Sequence, residues 1–259
     1  MALALGPAQT LRPYEGPAHV TARADAAGAH RLFGGRTVTL PVLVHAPDPD
    51  SVDLRAVLVQ LTSSLSMPVA DELDVRLSGD TAAGPWLDAG VSLTPPEVKR
   101  ESDFEIRFRS RRHGESTWQP AGRLTVRIYP SDLLEPVREW ARSHPISVQD
   151  DRGRLVEFLR RQRIRIADQT GGGGVTLHVG SRGKDEGRFL LHGRAAILFH
   201  ERETDTPYLL VERTGPGIVM TVEARFLDRL ETDPQAQKLL LEVFRRLHEQ
   251  LALMEGVDR

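Results

Sequence analysis

The chain has no cysteine in its 259 residues. That excludes a thiolate nucleophile, a Cys-ligated zinc or iron–sulfur centre, and any disulfide. Reducing and oxidising compartments both accept a cysteine-free chain, so the absence does not locate the protein. Lysine is nearly missing too: Lys99, Lys184 and Lys238 are the whole complement, and arginine carries the remaining positive charge. The arginines are spread evenly, the pattern of a coding bias rather than of one carboxylate- or phosphate-binding cluster. There is no excess of either charge, with a formal net charge of -2 and a pI near 6.5. Nothing in that balance favours nucleic acid as the main partner. No window approaches the roughly 18 apolar residues that span a bilayer.

What is present suffices for one large domain or two of ordinary size, since 40% of residues are hydrophobic and 27% charged. Disorder, collagen-like repeats and a disulfide scaffold are excluded on composition. The first residues, Met1 to Gln9, form a short apolar run ending in Gly6-Pro7-Ala8. The run is similar to the tail of a secretory signal peptide cut after Ala8, although a positive n-region is missing. It favours a periplasmic or extracellular location over a cytoplasmic one, and residues 1–16 are read as a flexible N-terminus.

From residue 17 to 129 the pattern has period two. Leu54, Ala56 and Leu58 share one face of a strand, and Leu73, Val75 and Leu77 alternate with Asp74 and Arg76. Phe104, Ile106 and Phe108 alternate with Glu105, Arg107 and Arg109, and Leu124, Val126 and Ile128 with Thr125 and Arg127. Stretches such as His19 to Ala24 and Thr37 to Val44 are rich in β-branched residues and bounded by Gly34-Gly35 and Pro47-Asp48-Pro49-Asp50. Strands at this spacing, with no amphipathic helix between them, predict an antiparallel β-sandwich of immunoglobulin-like type, here without the Cys-Trp-Cys core marker.

After Pro130 the period changes to 3.6, which places the domain boundary at Tyr129-Pro130-Ser131 and a small α/β domain with a flavodoxin-like core over 130–259. The fold class is thus all-β followed by α/β. Ser131 and Asp132 are candidate caps for a helix with Pro136 in its first turn, and Asp150 or Asp151 for a helix with the stripe Leu155, Val156 and Leu159. Ile164 and Ile166 open a further strand, and Val175 to Val179 and Ala195 to Phe199 read as buried strands. Tyr208 to Glu212 and Ile218 to Val222 flank Thr214-Gly215-Pro216-Gly217 as a hairpin. The last helix is capped by Asp233, starts at Pro234, and carries Ala236, Leu239, Leu240, Val243, Phe244, Leu247, Leu251 and Met254 in one stripe.

Few motifs carry chemistry. Gly171 to Gly174 lacks the Gly-Lys-Ser/Thr and the following helix of a phosphate-binding loop, and reads as a strand-to-strand connection. Gly180-Ser181-Arg182, directly after a strand, is the candidate ligand-binding loop, because amides beyond the carboxyl end of a strand hold anions. Ser181 as a nucleophile with His178, His192 or His200 as base is the alternative, although the spacing is not Gly-x-Ser-x-Gly. His200-Glu201-Arg202-Glu203 lacks the second histidine of a zinc helix, so no metal site is assigned, and no cofactor is expected. Arg107, Arg109, Arg111, Arg112 and His113 are interleaved with Glu101, Asp103, Glu105 and Glu115 and read as a solvated sheet face. Trp86 and Trp118 near turns read as buried anchors, with stacking on a sugar ring as the alternative.

The segment Leu209 to Met220, followed by Phe226-Leu227-Asp228-Arg229-Leu230 and Asp233-Pro234-Gln235-Ala236-Gln237-Lys238-Leu239-Leu240, resembles the end of class I glutamine amidotransferase-like domains. The resemblance covers about the last 130 residues in outline. It implies a flavodoxin-like fold and a degenerate member, because the family's active members place a cysteine on a tight strand-to-helix turn. The comparable strand end here is Val179-Gly180-Ser181. The expected function is a non-catalytic binding or scaffolding protein that recognises a carbohydrate or a protein partner. A serine hydrolase using Ser181 and a component of an intracellular defence or signalling assembly are the competing classes.

Overall fold

The structure, a computed structural model, describes residues 17–22, 30–62, 66–77, 86–150, 152–167, 174–179, 195–200, 207–214, 217–223 and 226–257. The chain divides into two compact units, residues 1–131 and 132–259.

In the first unit, the described residues that alternate apolar and polar form nine strands: β1 (His19–Ala22), β2 (His30–Phe33), β3 (Val38–His45), β4 (Val52–Leu61), β5 (Ser66–Pro68), β6 (Leu73–Asp74), β7 (Trp86–Leu93), β8 (Ser102–Arg112) and β9 (Gln119–Tyr129). They build two sheets. One has the order β1-β3-β7 and the other β2-β9-β8-β4-β5, with β6 also paired to β4. Labelled by the immunoglobulin convention these are A-B-E against G-F-C, flanked by an edge strand on each side, so the unit is an immunoglobulin-like β-sandwich. Val42, Val44, Val91 and Leu93 from one sheet and Leu54, Leu58, Phe104, Ile106, Phe108, Val126 and Ile128 from the other form one buried core. Where antibody domains place a disulfide and a tryptophan, the described residues of this core are aliphatic and phenylalanine side chains.

Two details depart from the sequence pattern. Leu73, Val75 and Leu77 do not form one strand: Leu73 and Asp74 pair with β4, whereas Leu77 bridges to Ala89 of β7. The segment changes sheet within a few residues, so its alternation is shared between two partners. At Gly122 (φ +145°) a β-carbon would lie 2.4 Å from the carbonyl oxygen of Val20. Glycine there, beside the register shift between Phe108 and Arg109, lets β9 pass against β1.

The second unit contains α1 (Glu135–Ser143), β10 (Ile146–Asp150), α2 (Arg154–Arg161), β11 (Val175–Val179), β12 (Ala195–His200), β13 (Tyr208–Thr214), β14 (Gly217–Glu223) and α3 (Pro234–Val257). Its sheet runs β10-β11-β12-β14-β13, with the first four strands parallel and β13 antiparallel on the edge. The predicted hairpin is present as β13 and β14. The strand expected at Ile164 and Ile166 is reduced to a single parallel bridge from Ile166 to Ile146.

One face of this sheet, including Val175, Leu177, Ile197, Phe199, Met220 and Val222, packs with α1, α2 and α3 in a single core. Local chemistry starts the helices. The Asp233 carboxylate accepts from Gln235 N at 2.9 Å, and the Asp150 carboxylate accepts from Leu155 N at 2.6 Å. Ser131 and Asp132 do not cap α1: Leu134 is the N-cap, without a side-chain bond, and Asp132 pairs with Arg138 instead. The side chains of Leu240, Val243 and Leu247 are fully buried in α3. On its exposed side Arg245 and Arg246 hydrogen-bond to Glu242 and pull that carboxyl down to about 2. Solvent screening leaves such pairs little net effect on stability.

Because the α3 stripe is core, Leu240→Ala and Phe244→Ala are each expected to destabilise the second unit by about 2–5 kcal/mol. Thermal melts read this directly. Unchanged midpoints in both variants would show the helix to be an external arm.

Candidate functional site

Two regions bring polar chemistry together. The first lies where the parallel strands of the second unit end. Asp150 and Val179 are register partners at the carboxyl ends of β10 and β11. Gly180, Ser181 and Arg182 follow directly, and they, like His192, lie outside the described residues, as do Glu201 to Glu203 of the weighed zinc motif and Gly171 to Gly173 of the glycine tract. What the described strands carry toward that end is informative. On the sheet face opposite the three helices, Ser147 Oγ donates to Thr176 Oγ1 at 3.1 Å. Nearer the carboxyl ends the same face holds His178, and His200 in register with Glu223. His178 and Glu223 are both buried. Thus two of the three histidines weighed as a base for Ser181 share a face. Glu223 was not singled out from the sequence, although its parity with Val219 and Thr221 on β14 already assigned it to that face.

Burial pushes the His178 imidazole down to about 4, so it is neutral near pH 7. Among the described residues no group of three or more His, Asp or Glu is placed to hold a metal ion. No helix among them is long and apolar enough to cross a membrane.

The second region is on the outer face of the large sheet, where β4 and β8 carry a ladder of opposite charges. Asp53 accepts from Arg111 Nε at 2.8 Å and faces His113 Nε2 at 3.1 Å. Arg55 Nε donates to Asp74 Oδ1 at 2.9 Å, and its Nη1 reaches Glu72 Oε2 at 3.3 Å. The solvated face of alternating charge expected from the sequence is therefore present, but it also supports a tryptophan. Trp118, just before β9, is half-buried, and the guanidinium groups of Arg55 and Arg111 each stand 4.6 Å from its ring centroid. Beside it opens a cleft of about 450 Å³ whose walls include Asp53, Arg55, Asp74, Arg76, Arg111 and Trp118.

Neither tryptophan is the buried anchor expected. Trp86 is 46% exposed, because on β7 the inward positions belong to Leu87, Ala89, Val91 and Leu93. It stands in one cross-strand row with His45 and His19, its ring centroid 5.1 Å and 6.5 Å from theirs.

No family model matches the chain, and no curated protein does. Solved structures similar to it include the CooA pilin subunit from enterotoxigenic Escherichia coli, at 8% identity over 44% of this chain and 98% of that one, TM-score 0.26. A Niemann-Pick type C2 protein from the Japanese carpenter ant matches at 8% identity over 43% of this chain and 88% of that one, TM-score 0.27. The periplasmic chaperone SfaE matches at 13% identity over 44% and 57%, TM-score 0.21. No amidotransferase-like domain is among these matches.

The depressed His178 pKa carries a pH signature. The unfolded imidazole titrates near 6.5 and the folded one near 4, so between these values the unfolded chain binds the extra proton. The stability this group contributes is complete above pH 6.5 and falls as the pH drops toward 4. Urea midpoints measured across that window are expected to decline more steeply for the wild type than for His178→Gln. Parallel declines would remove His178 as the cause.

Proposed function

We propose that this is a non-catalytic recognition protein that binds a carbohydrate in the cleft beside Trp118. The observation that carries this reading is the pairing of an indole with carboxylates and guanidinium groups around one cleft of about 450 Å³. A pyranose offers a C–H face to an aromatic ring and hydroxyls to Asp and Arg side chains, so apolar contact and orienting hydrogen bonds come from the same site. The ion pairs of Arg55 with Asp74 and of Arg111 with Asp53 hold these groups in place before a ligand arrives.

In the same reading, residues 1–16 are an N-terminal segment, 17–129 the immunoglobulin-like sandwich, and 130–259 a flavodoxin-like unit of amidotransferase type without its nucleophile. The Ile166 bridge supports the last assignment. Val175 N donates to Pro145 O and Ala167 N to Ile146 O, on opposite edges of β10. Counting the Ile166 segment as a strand gives the start of the order 2-1-3-4-5, whose ligand site is the switch point between the first and third strands. Gly180, Ser181 and Arg182 follow the third strand in that count and are assigned an anionic group of a ligand or partner. A periplasmic or extracellular location belongs to this reading.

Glycan-array screening followed by calorimetric titration tests it. Trp118→Ala is expected to weaken the best glycan by about tenfold or more with an unchanged melting midpoint. Trp86→Ala, on the other sheet, is expected to leave binding intact. Equal binding by wild type and Trp118→Ala would remove the cleft as the site, and an empty array would leave a protein partner as the ligand class.

The placement of His178 with His200 and Glu223 on one sheet face favours a second reading, a serine hydrolase built on Ser181. Fluorophosphonate labelling separates the two. The leading reading expects no label on the wild type. A label that disappears in Ser181→Ala would establish the hydrolase.

A further inference from the structure

Among its described residues, the sandwich of the first unit has few pairings along one side. Both β5 and β6 pair with β4, and on that side of β7 the described residues supply a single bridge, Leu77 to Ala89. Beyond Ala89 no strand among the described residues pairs with that edge of β7. A slot of about 310 Å³ enters the core there. Its floor is Ala56, Leu58 and Ile106 of the large sheet, and Val91 and Leu93 face them from β7. Ala56 stands between Leu54 and Leu58 on the inner face of β4, and the missing side-chain volume is what deepens the slot. The mouth is different in kind. Among the described residues that line it Asp71 is the one charged side chain, and it is exposed, while Thr37 and Thr94, neighbours on adjacent strands of the small sheet just past the Val38–Leu93 pair, join hydroxyls at 2.8 Å beside it. None of these residues lines the cleft at Trp118.

We propose that this slot binds a small amphipathic molecule, with an alkyl or aromatic body between the sheets and a hydrogen-bond-donating head, a hydroxyl or an ammonium, at Asp71. The volume sets the size of the body. A cavity of about 150 Å³ lined by aliphatic and phenylalanine side chains takes benzene, so a slot of twice that volume takes about ten carbons. The lining sets the chemistry. An apolar floor returns the hydrophobic free energy of the body, and the Asp71 carboxylate accepts from a donor head while repelling an anionic one. Pockets of this size with few polar groups at one end are the common form of small-molecule sites.

Octylamine, octanol and octanoate share one tail and differ in head, so titrating each into the full chain tests both halves of the proposal. Octanol and octylamine are expected to bind saturably at one site, with octanoate weaker by about tenfold or more. Asp71→Asn is expected to narrow the gap between amine and carboxylate while keeping octanol binding. Ala56→Leu, which fills the slot, is expected to remove binding of all three. Should Ala56→Leu fail to fold, nuclear Overhauser contacts from bound octanol to the methyl groups of Ala56, Leu58 and Val91 locate the site in the wild type. The proposal is overturned by an absence of saturable octanol binding, by octanol contacts elsewhere, by binding that survives Ala56→Leu, or by octanoate matching octylamine.

Discussion

The ladder joining β4 to β8 runs without a break from Val52–Arg112 to Gln60–Phe104, and β9 extends it on the far side of β8. Because side chains alternate along a strand, this one register decides the content of both faces at once. Inward it sets Ala56 opposite Phe108 and Leu58 opposite Ile106 as the floor of the core. Outward it sets Asp53 opposite Arg111 and Arg55 opposite Arg109. A slip by one residue would bury the charges and expose the phenylalanines. The core and the Arg–Trp cleft are therefore two faces of the same pairing, and neither exists without the other.

The second unit meets a different constraint. Interior parallel strands are covered on both faces, and β11, β12 and β14 are buried on both. The helix-facing side satisfies this with aliphatic and aromatic residues. The opposite side carries Ser147, Thr176, His178 and Glu223 into buried positions, where polar groups cost free energy unless they are hydrogen-bonded. The Ser147–Thr176 bond answers that cost locally, and the His178 imidazole answers it by remaining neutral. That face is mixed, since Ala196, Leu198 and Val219 are buried on it beside the polar residues, whereas the helix-facing side is apolar throughout the interior strands. Buried polar groups, which core packing alone does not require, lie toward its carboxyl end at His178 and Glu223.

Much of the architecture was legible because its signals are local. Period-two alternation marked the long strands, the change of period near Pro130 marked the α/β half, and the three-and-four spacing with Asp233 and Pro234 marked α3. What failed was chemistry without a local signature. Leu73 to Leu77 alternates like one strand yet serves two sheets, because alternation records which face is buried and not which neighbour supplies the hydrogen bonds. Asp132 looks like a cap but lies too far from the start of α1, so a salt bridge with Arg138 takes it. Trp118 looked like a buried anchor. It is half-buried on the outer face because Arg55 and Arg111, far apart in sequence, meet there to support its ring.

By itself the sequence determined that cysteine and metal–thiolate chemistry are absent, that an all-β half precedes an α/β half, and which residues of each long element turn inward. These follow from residue identity and from periods of two and 3.6, quantities written along the chain. Only the tertiary structure decided which strands are neighbours. From neighbourhood alone came the row His200–Glu223, the indole beside two guanidinium groups, and the gap between the sheets beside Ala56. Each joins residues separated by tens of positions, and their approach is set by strand order and register rather than by any preference of the residues themselves.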